Sequence, residues 1–114
     1  MTLANEDQLN RTFSALAHPT RRAILLRLAQ SDADVGELAR PFNTSLPAIS
    51  RHIRVLEQAG LLQQGQRAQA RPCALNAAPL VAATDWTHPL RQAWEARFDR
   101  MDLYLQSINT QEEE

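Results

Sequence analysis

The sequence predicts a mainly α-helical domain with one small β-hairpin, in the order α-α-α-α-β-β-α. Three features carry this. Apolar residues recur at spacings of three and four through five segments. Polar, proline or glycine breaks separate those segments. Between the fourth and fifth, LLQQ and RPCALN flank the polar GQRAQA, two short extended runs around an exposed tip.

The elements follow in chain order. In NEDQLNRTFSAL (5–16), Leu9, Phe13 and Leu16 mark a short first helix. His18-Pro19-Thr20 interrupts it, since proline suits a first helical turn and restricts the residue before it. A second helix of about eleven residues follows, with Ile24, Leu25 and Leu28 as its buried side. Ser31 to Asp34 is a polar break, and Asp34 is a candidate N-cap. Val35, Leu38 and Phe42 belong to a short third helix ending near Pro41. Asn43-Thr44-Ser45 offers capping groups for a fourth helix, about 46–59, closed by Gly60. After the hairpin, one long helix from about 80 to 107 repeats Trp86, Leu90, Trp94, Phe98, Met101, Leu105 and Ile108. Pro89 is expected to kink it or mark its start.

With 114 residues, 44% of them apolar, the chain fits one domain, residues 1–108, followed by a frayed acidic tail at 109–114. A core of that size gains from dimerisation. No apolar run approaches the ~20 residues of a membrane span. The N-terminus lacks a basic-then-apolar leader pattern, so the expected location is cytoplasmic, with no membrane partner. The single cysteine, Cys73, has no intrachain partner, in keeping with a reducing compartment.

The net charge is −1, which does not by itself suggest a nucleic-acid binder. Its distribution softens that objection. Residues 1–79 hold nine Arg against six acids, and residues 80–114 three Arg against seven acids. A basic face is therefore possible upstream of an acidic last segment, without a basic average. There is no lysine, so every such cation is a planar fork suited to bidentate contacts.

The fourth helix, within TSLPAISRHIRVLEQAGLL, gives that face a form. Ile49, Ile53 and Leu56 fall on one side of a helical wheel; Pro47, Arg51, Arg54 and Gln58 fall opposite, with Ser50 at the flank. Arginine forks onto guanine, glutamine onto adenine and serine onto either, and small Ala48 permits close approach. The helix start, at Ser45, presents free amides to phosphate. His52 lies at the border of the two faces, either near DNA or satisfied within the fold. A bland alternative is a solvated surface helix. Against it stand the short helix and tight break in front, as in helix-turn-helix units, and a hairpin behind carrying Arg67, Gln69 and Arg71.

The runs ALAHPTRRAILLRLA, VGELARPF, SLPAISRHIRVLEQAGLL and RPCAL resemble the winged helix-turn-helix repressors of the ArsR/SmtB type, over about residues 8–105. The resemblance implies a homodimer, a recognition helix followed by a two-stranded wing, and repression released by an inducer. It also brings metal sensing into view. The third helix, VGELAR, lacks the cysteine pair of the family's sensors, and soft metals need thiolates or imidazoles. On the last helix His88, Asp99 and Asp102 match part of a second family site, either a hard-ion site across a dimer or solvated acids. Cys73 as a redox sensor would need a resolving thiol from another subunit.

No nucleophile-base set or phosphate-binding glycine loop is present, so an enzyme is not expected, and no cofactor or resident metal. The expected function is a homodimeric, sequence-specific transcriptional repressor on double-stranded DNA, with its own promoter as a candidate target and an unknown small-molecule inducer. The expected DNA-binding residues are Ser45, Pro47, Ala48, Ser50, Arg51, His52, Arg54, Gln58, Arg67, Gln69 and Arg71. The expected dimer surface is Leu9, Phe13, Trp86, Leu90, Trp94, Phe98, Met101 and Leu105. The alternatives are a protein-interaction module on the same scaffold, or a metal- or redox-responsive regulator.

Overall fold

The computed structural model describes residues 3–65 and 72–113. Five helices and two strands follow in the expected order: α1 (Leu3–Leu16), α2 (Pro19–Leu28), α3 (Val35–Ala39), α4 (Leu46–Gln58), β1 (Leu62–Gln64), β2 (Cys73–Leu75) and α5 (Ala78–Glu113). The chain divides into two compact units, one up to Ala83 and one from Thr84 onward.

In the first unit, Ile24, Leu25, Leu28, Leu38, Ile49, Ile53, Leu56, Leu61, Leu62 and Cys73 form a contiguous core. The wheel positions expected to point inward on α2 and α4 do so. On α1 the buried residues are Thr12 and Ala15, while Leu9 is half-buried and Phe13, assigned with it to the expected dimer surface, is exposed. Thr12 is tolerated there because its hydroxyl donates to the Gln8 carbonyl at 2.9 Å, leaving no buried orphan.

The boundaries have local causes. Asp34 accepts from the Glu37 amide at 2.8 Å, and the Glu37 carboxylate accepts from the Asp34 amide, a reciprocal capping box that starts the five-residue α3. Gly60, at φ 76°, closes α4. Its amide donates to Glu57 and the Leu61 amide to Leu56, the paired bonds of a left-handed helix stop. Asn76 then ties the turn between α4 and β1 to the start of α5. Its amide donates to the Leu61 carbonyl, its Nδ2 to the Gly60 carbonyl at 2.9 Å, and its Oδ1 accepts from Ala78 at the start of α5.

The hairpin is antiparallel, with Leu62 opposite Leu75 and Gln64 opposite Cys73. Ala33 adds a one-residue bridge to Cys73, its carbonyl accepting from the Cys73 amide at 2.8 Å. The break expected at 31–34 therefore also pins the hairpin to the helical layer.

α5 begins two residues before the expected start and runs to Glu113, so the segment from Asn109, expected to fray, is helical here. Thr110 of that segment donates its hydroxyl back to the Gln106 carbonyl. Pro89 lies inside the helix rather than at its start. The amide it lacks would have bonded the carbonyl of Asp85, an exposed residue.

Candidate nucleic-acid interface

α4 is built to keep one side out of the core. Ser45 is its N-cap, with Oγ accepting from the Ala48 amide at 3.3 Å, and Pro47 occupies the first turn. Ile49, Ile53 and Leu56 are at most 1% exposed, which fixes the rotation of the helix. The same rotation leaves Ser45, Pro47, Arg51, Arg54 and Gln58 exposed, with Ala48 and Ser50 half-buried. Neither Arg51 nor Arg54 joins an ion pair or side-chain hydrogen bond among the described residues. Both guanidinium groups keep their full donor sets for a phosphate or base edge.

Two grooves flank this side. Ser50 and Arg54 line one with Val35, Ile53 and Gln64, where α3, α4 and β1 meet. Gln58 lines the other with Asn10, Arg11, Ser14 and Val55. The glutamine is thus shared between the outer face of α4 and the α1 boundary. Arg67, Gln69 and Arg71 lie outside the described residues.

His52 is half-buried on the flank of α4. Its Nδ1 lies 3.3 Å from Arg21 Nη1, and its ring 4.3 Å from that of His18, tilted by 47°. Burial pushes its pKa below the ordinary 6.5, and the neighbouring His18, Arg21 and Arg51 push the same way. His18 is the N-cap of α2, with Nδ1 accepting from the Thr20 amide at 3.1 Å. Arg21 also donates to the carbonyls of Ala15 at 2.7 Å and Ser14 at 3.1 Å, and Arg22 to that of Leu16 at 2.7 Å. The last carbonyls of α1, which a helix leaves unpaired, are thereby satisfied. Sequence reading missed the role of these two arginines. The available signal was a pair of cations directly after a proline-started turn, facing the end of the preceding helix.

The second unit presents a long apolar stripe. Leu90, Trp94, Phe98, Met101 and Leu105 are each more than half exposed, and Trp86 is 44% exposed. Trp94 and Phe98 meet edge to face at 4.9 Å, with the Arg97 guanidinium 5.8 Å from the Trp94 ring centre. His88, Asp99 and Asp102 are exposed along the same helix. Among the described residues no group of three or more His, Cys, Asp or Glu side chains is placed to hold a metal ion. Cys73 is fully buried in β2, and burial, reinforced by Glu57 and Asp34, pushes its thiol up to about 11. A thiol so placed stays protonated and unreactive at neutral pH.

Comparison with known proteins places this geometry in context. Residues 16–64 match a family described as a helix-turn-helix domain. The transcriptional repressor SdpR of Bacillus subtilis is 36% identical over 78 residues, covering 68% of this chain and 87% of SdpR. The crystal structure of an ArsR family transcriptional regulator superposes with a TM-score of 0.73 at 41% identity, covering 79% of this chain and 93% of that one. The homodimeric winged helix-turn-helix domain of Mb0332 from Mycobacterium bovis shares the fold at 24% identity, with a TM-score of 0.61, covering 85% of this chain and 87% of that one.

Proposed function

The chain belongs to the ArsR family of winged helix-turn-helix transcriptional regulators, and from that premise we propose that it is a homodimeric repressor whose α4 reads a pseudo-palindromic operator. The observation that carries the reading is the two-sidedness of α4: three apolar residues sealed in the core and, opposite them, two arginines with no partner among the described residues. In the major groove, Arg51 and Arg54 supply forked contacts to guanine or phosphate, Ser50 and Ala48 permit close approach, and Ser45 and Pro47 bring the helix start to the backbone. Gln58, in the last turn, reaches the flank of the site. Arg67, Gln69 and Arg71 of the expected wing, outside the described residues, are assigned to the phosphate backbone.

The apolar stripe of α5 supports the dimer. Contiguous exposed aromatic and aliphatic side chains on a small protein mark an interaction surface, and a two-fold pair of reading helices needs a partner copy. Leu9 and Phe13 extend the assigned interface to α1. The homodimeric Mb0332 domain supports the same assembly. Family members are transcriptional regulators, and no enzymatic family is indicated. No helix among the described residues is long and apolar enough to cross a membrane.

The test is to capture genomic fragments on the purified protein, sequence them, and measure affinity for the enriched sequence against salt. A repressor enriches an inverted repeat with half-sites about one DNA turn apart, and log affinity falls linearly with log salt by ~0.9 per phosphate neutralised. Enrichment of no sequence, or binding indifferent to salt, overturns the reading in favour of a protein-interaction module.

A further inference from the structure

Where α1, α2 and α4 cross, one arginine of α2 is bonded to both other helices. Arg21 stands on α2, donates to the terminal carbonyls of α1 at Ser14 and Ala15, and reaches His52 on α4. We propose that Arg21 and His52 are positioning residues for the reading helix, and that a proton on His52 unseats that helix and weakens DNA binding. The proposal rests on the DNA-binding reading above.

The chemistry follows from donor and acceptor roles. Arginine has only donors, so His52 Nδ1 must be the acceptor and its proton must sit on Nε2. The guanidinium cannot turn away at no cost, since two of its other N–H groups are held by carbonyls. A proton on His52 Nδ1 sets donor against donor at 3.3 Å and cation against cation. His18, 4.3 Å away, cannot take up the new N–H with its own Nδ1, which is committed to the Thr20 amide.

The groups facing His52 compound the effect. Arg21 and His18 face it from α2, and Arg51 from α4. α1 contributes carbonyls already bonded to Arg21. On α3, the other helix packed on α4, the acid Glu37 is engaged with Arg27 at 3.5 Å and with the Asp34 amide. Among the described residues, none of the groups acting on His52 is a carboxylate, so none of them favours its cation, and its lowered pKa agrees. The neutral form is the one the fold is built around.

This assigns His52 to setting the pose of α4 rather than to phosphate, and the two roles differ in sign. An imidazolium on phosphate strengthens binding as pH falls; a neutral tie that breaks weakens it.

The experiment measures the affinity of the full-length protein for the enriched DNA fragment from pH 7.5 to 5.0 at constant ionic strength. It is run on the wild type, His52→Gln and Arg21→Met. The His52 ring is titrated in parallel by NMR in the DNA-free protein. Glutamine keeps an acceptor for Arg21 but does not titrate. The wild type is expected to lose about tenfold in affinity over that range, the scale of one charged hydrogen bond. His52→Gln is expected to stay flat, and Arg21→Met to bind weakly at pH 7.5 with no further loss in acid. Affinity that rises in acid, a His52 that titrates at or above 6.5, or a His52→Gln variant as pH-sensitive as wild type would overturn the proposal. Should no DNA bind at any pH, the DNA reading fails by itself. The tie then stands if the α4 amide shifts follow the His52 titration in wild type, and falls if they do not.

Discussion

Replacing Trp94 by glutamate is the sharpest test of the assembly. Trp94 is 55% exposed, and its ring partner among the described residues is Phe98. An aromatic side chain of this size offers on the order of 200 Å², so ~100 Å² waits to be covered. At about 25 cal/mol per Å², covering it contributes roughly 2.5 kcal/mol per copy, and about 5 kcal/mol for a two-fold pair. That is between three and four decades in the dimer Kd by the relation of ~1.4 kcal/mol per tenfold, before the cost of burying a carboxylate. Sedimentation equilibrium at micromolar protein should show monomers for Trp94→Glu. The control is Ala96→Glu, about 160° away on the helix by the 100° step, which should remain dimeric. The core of the first unit contains neither residue, so its urea midpoint, followed at the same low concentration, reports whether the fold is intact. A dimer of wild-type affinity carrying Trp94→Glu would place the interface elsewhere and refute the assignment of the stripe.

Arg51→Ala and Arg54→Ala should each leave the dimer and the thermal midpoint unchanged, because neither guanidinium is bonded among the described residues. Where the arginine reads a base, its removal should cost about 1–3 kcal/mol and relax one operator position; where it holds a phosphate, the salt slope should fall by about one. Gel shifts with both variants at wild-type affinity would remove α4 from the groove. Gly60→Ala forces a side chain into φ 76° and should destabilise by about 1 kcal/mol or more in urea melts; an unchanged midpoint would mean the turn relaxes. The Cys73 thiol should resist a disulfide reagent at pH 7–8 until the protein unfolds. Its folded pKa is raised from 9.0 to about 11, so the unfolded state sheds the proton first. Stability should therefore be intact below pH 9 and decline as pH rises toward 11; a melting midpoint indifferent to pH over that window would contradict the burial of the thiol.

Much of the fold was legible because its signals are local. The spacing of Ile49, Ile53 and Leu56 needs only helical geometry to put them on one side, and they are buried together. Asp34 and Ser45 cap the helices that follow them, since a capping oxygen needs an amide only two or three residues away. Gly60 stops α4 for an equally local reason. The inward side of α1 was not legible in this way. Leu9, Phe13 and Leu16 are the apolar periodic set, yet Thr12 and Ala15 face the core. Gln8 explains part of this, since its Nε2 donates to the Ala59 carbonyl at 2.9 Å and orients α1 against the end of α4. A polar residue that caps a neighbouring helix leaves no trace in hydrophobic periodicity.

The two faces of α4, the hairpin after it and the apolar stripe of α5 were determined by the sequence itself, because each is a matter of which residues recur within a turn or two of the chain. Only the tertiary structure decided which acceptor each guanidinium meets. Arg21 bonds Ala15, six residues away, and His52, thirty-one residues away, and Ala33 pairs with Cys73 across the fold. Such partners are chosen by how helices and strands pack, and spacing along the chain carries no record of it. The same holds for His52, whose residue type allows a cation for DNA or a neutral tie; only packing sets its Nδ1 3.3 Å from Arg21, the geometry on which the proposed tie rests.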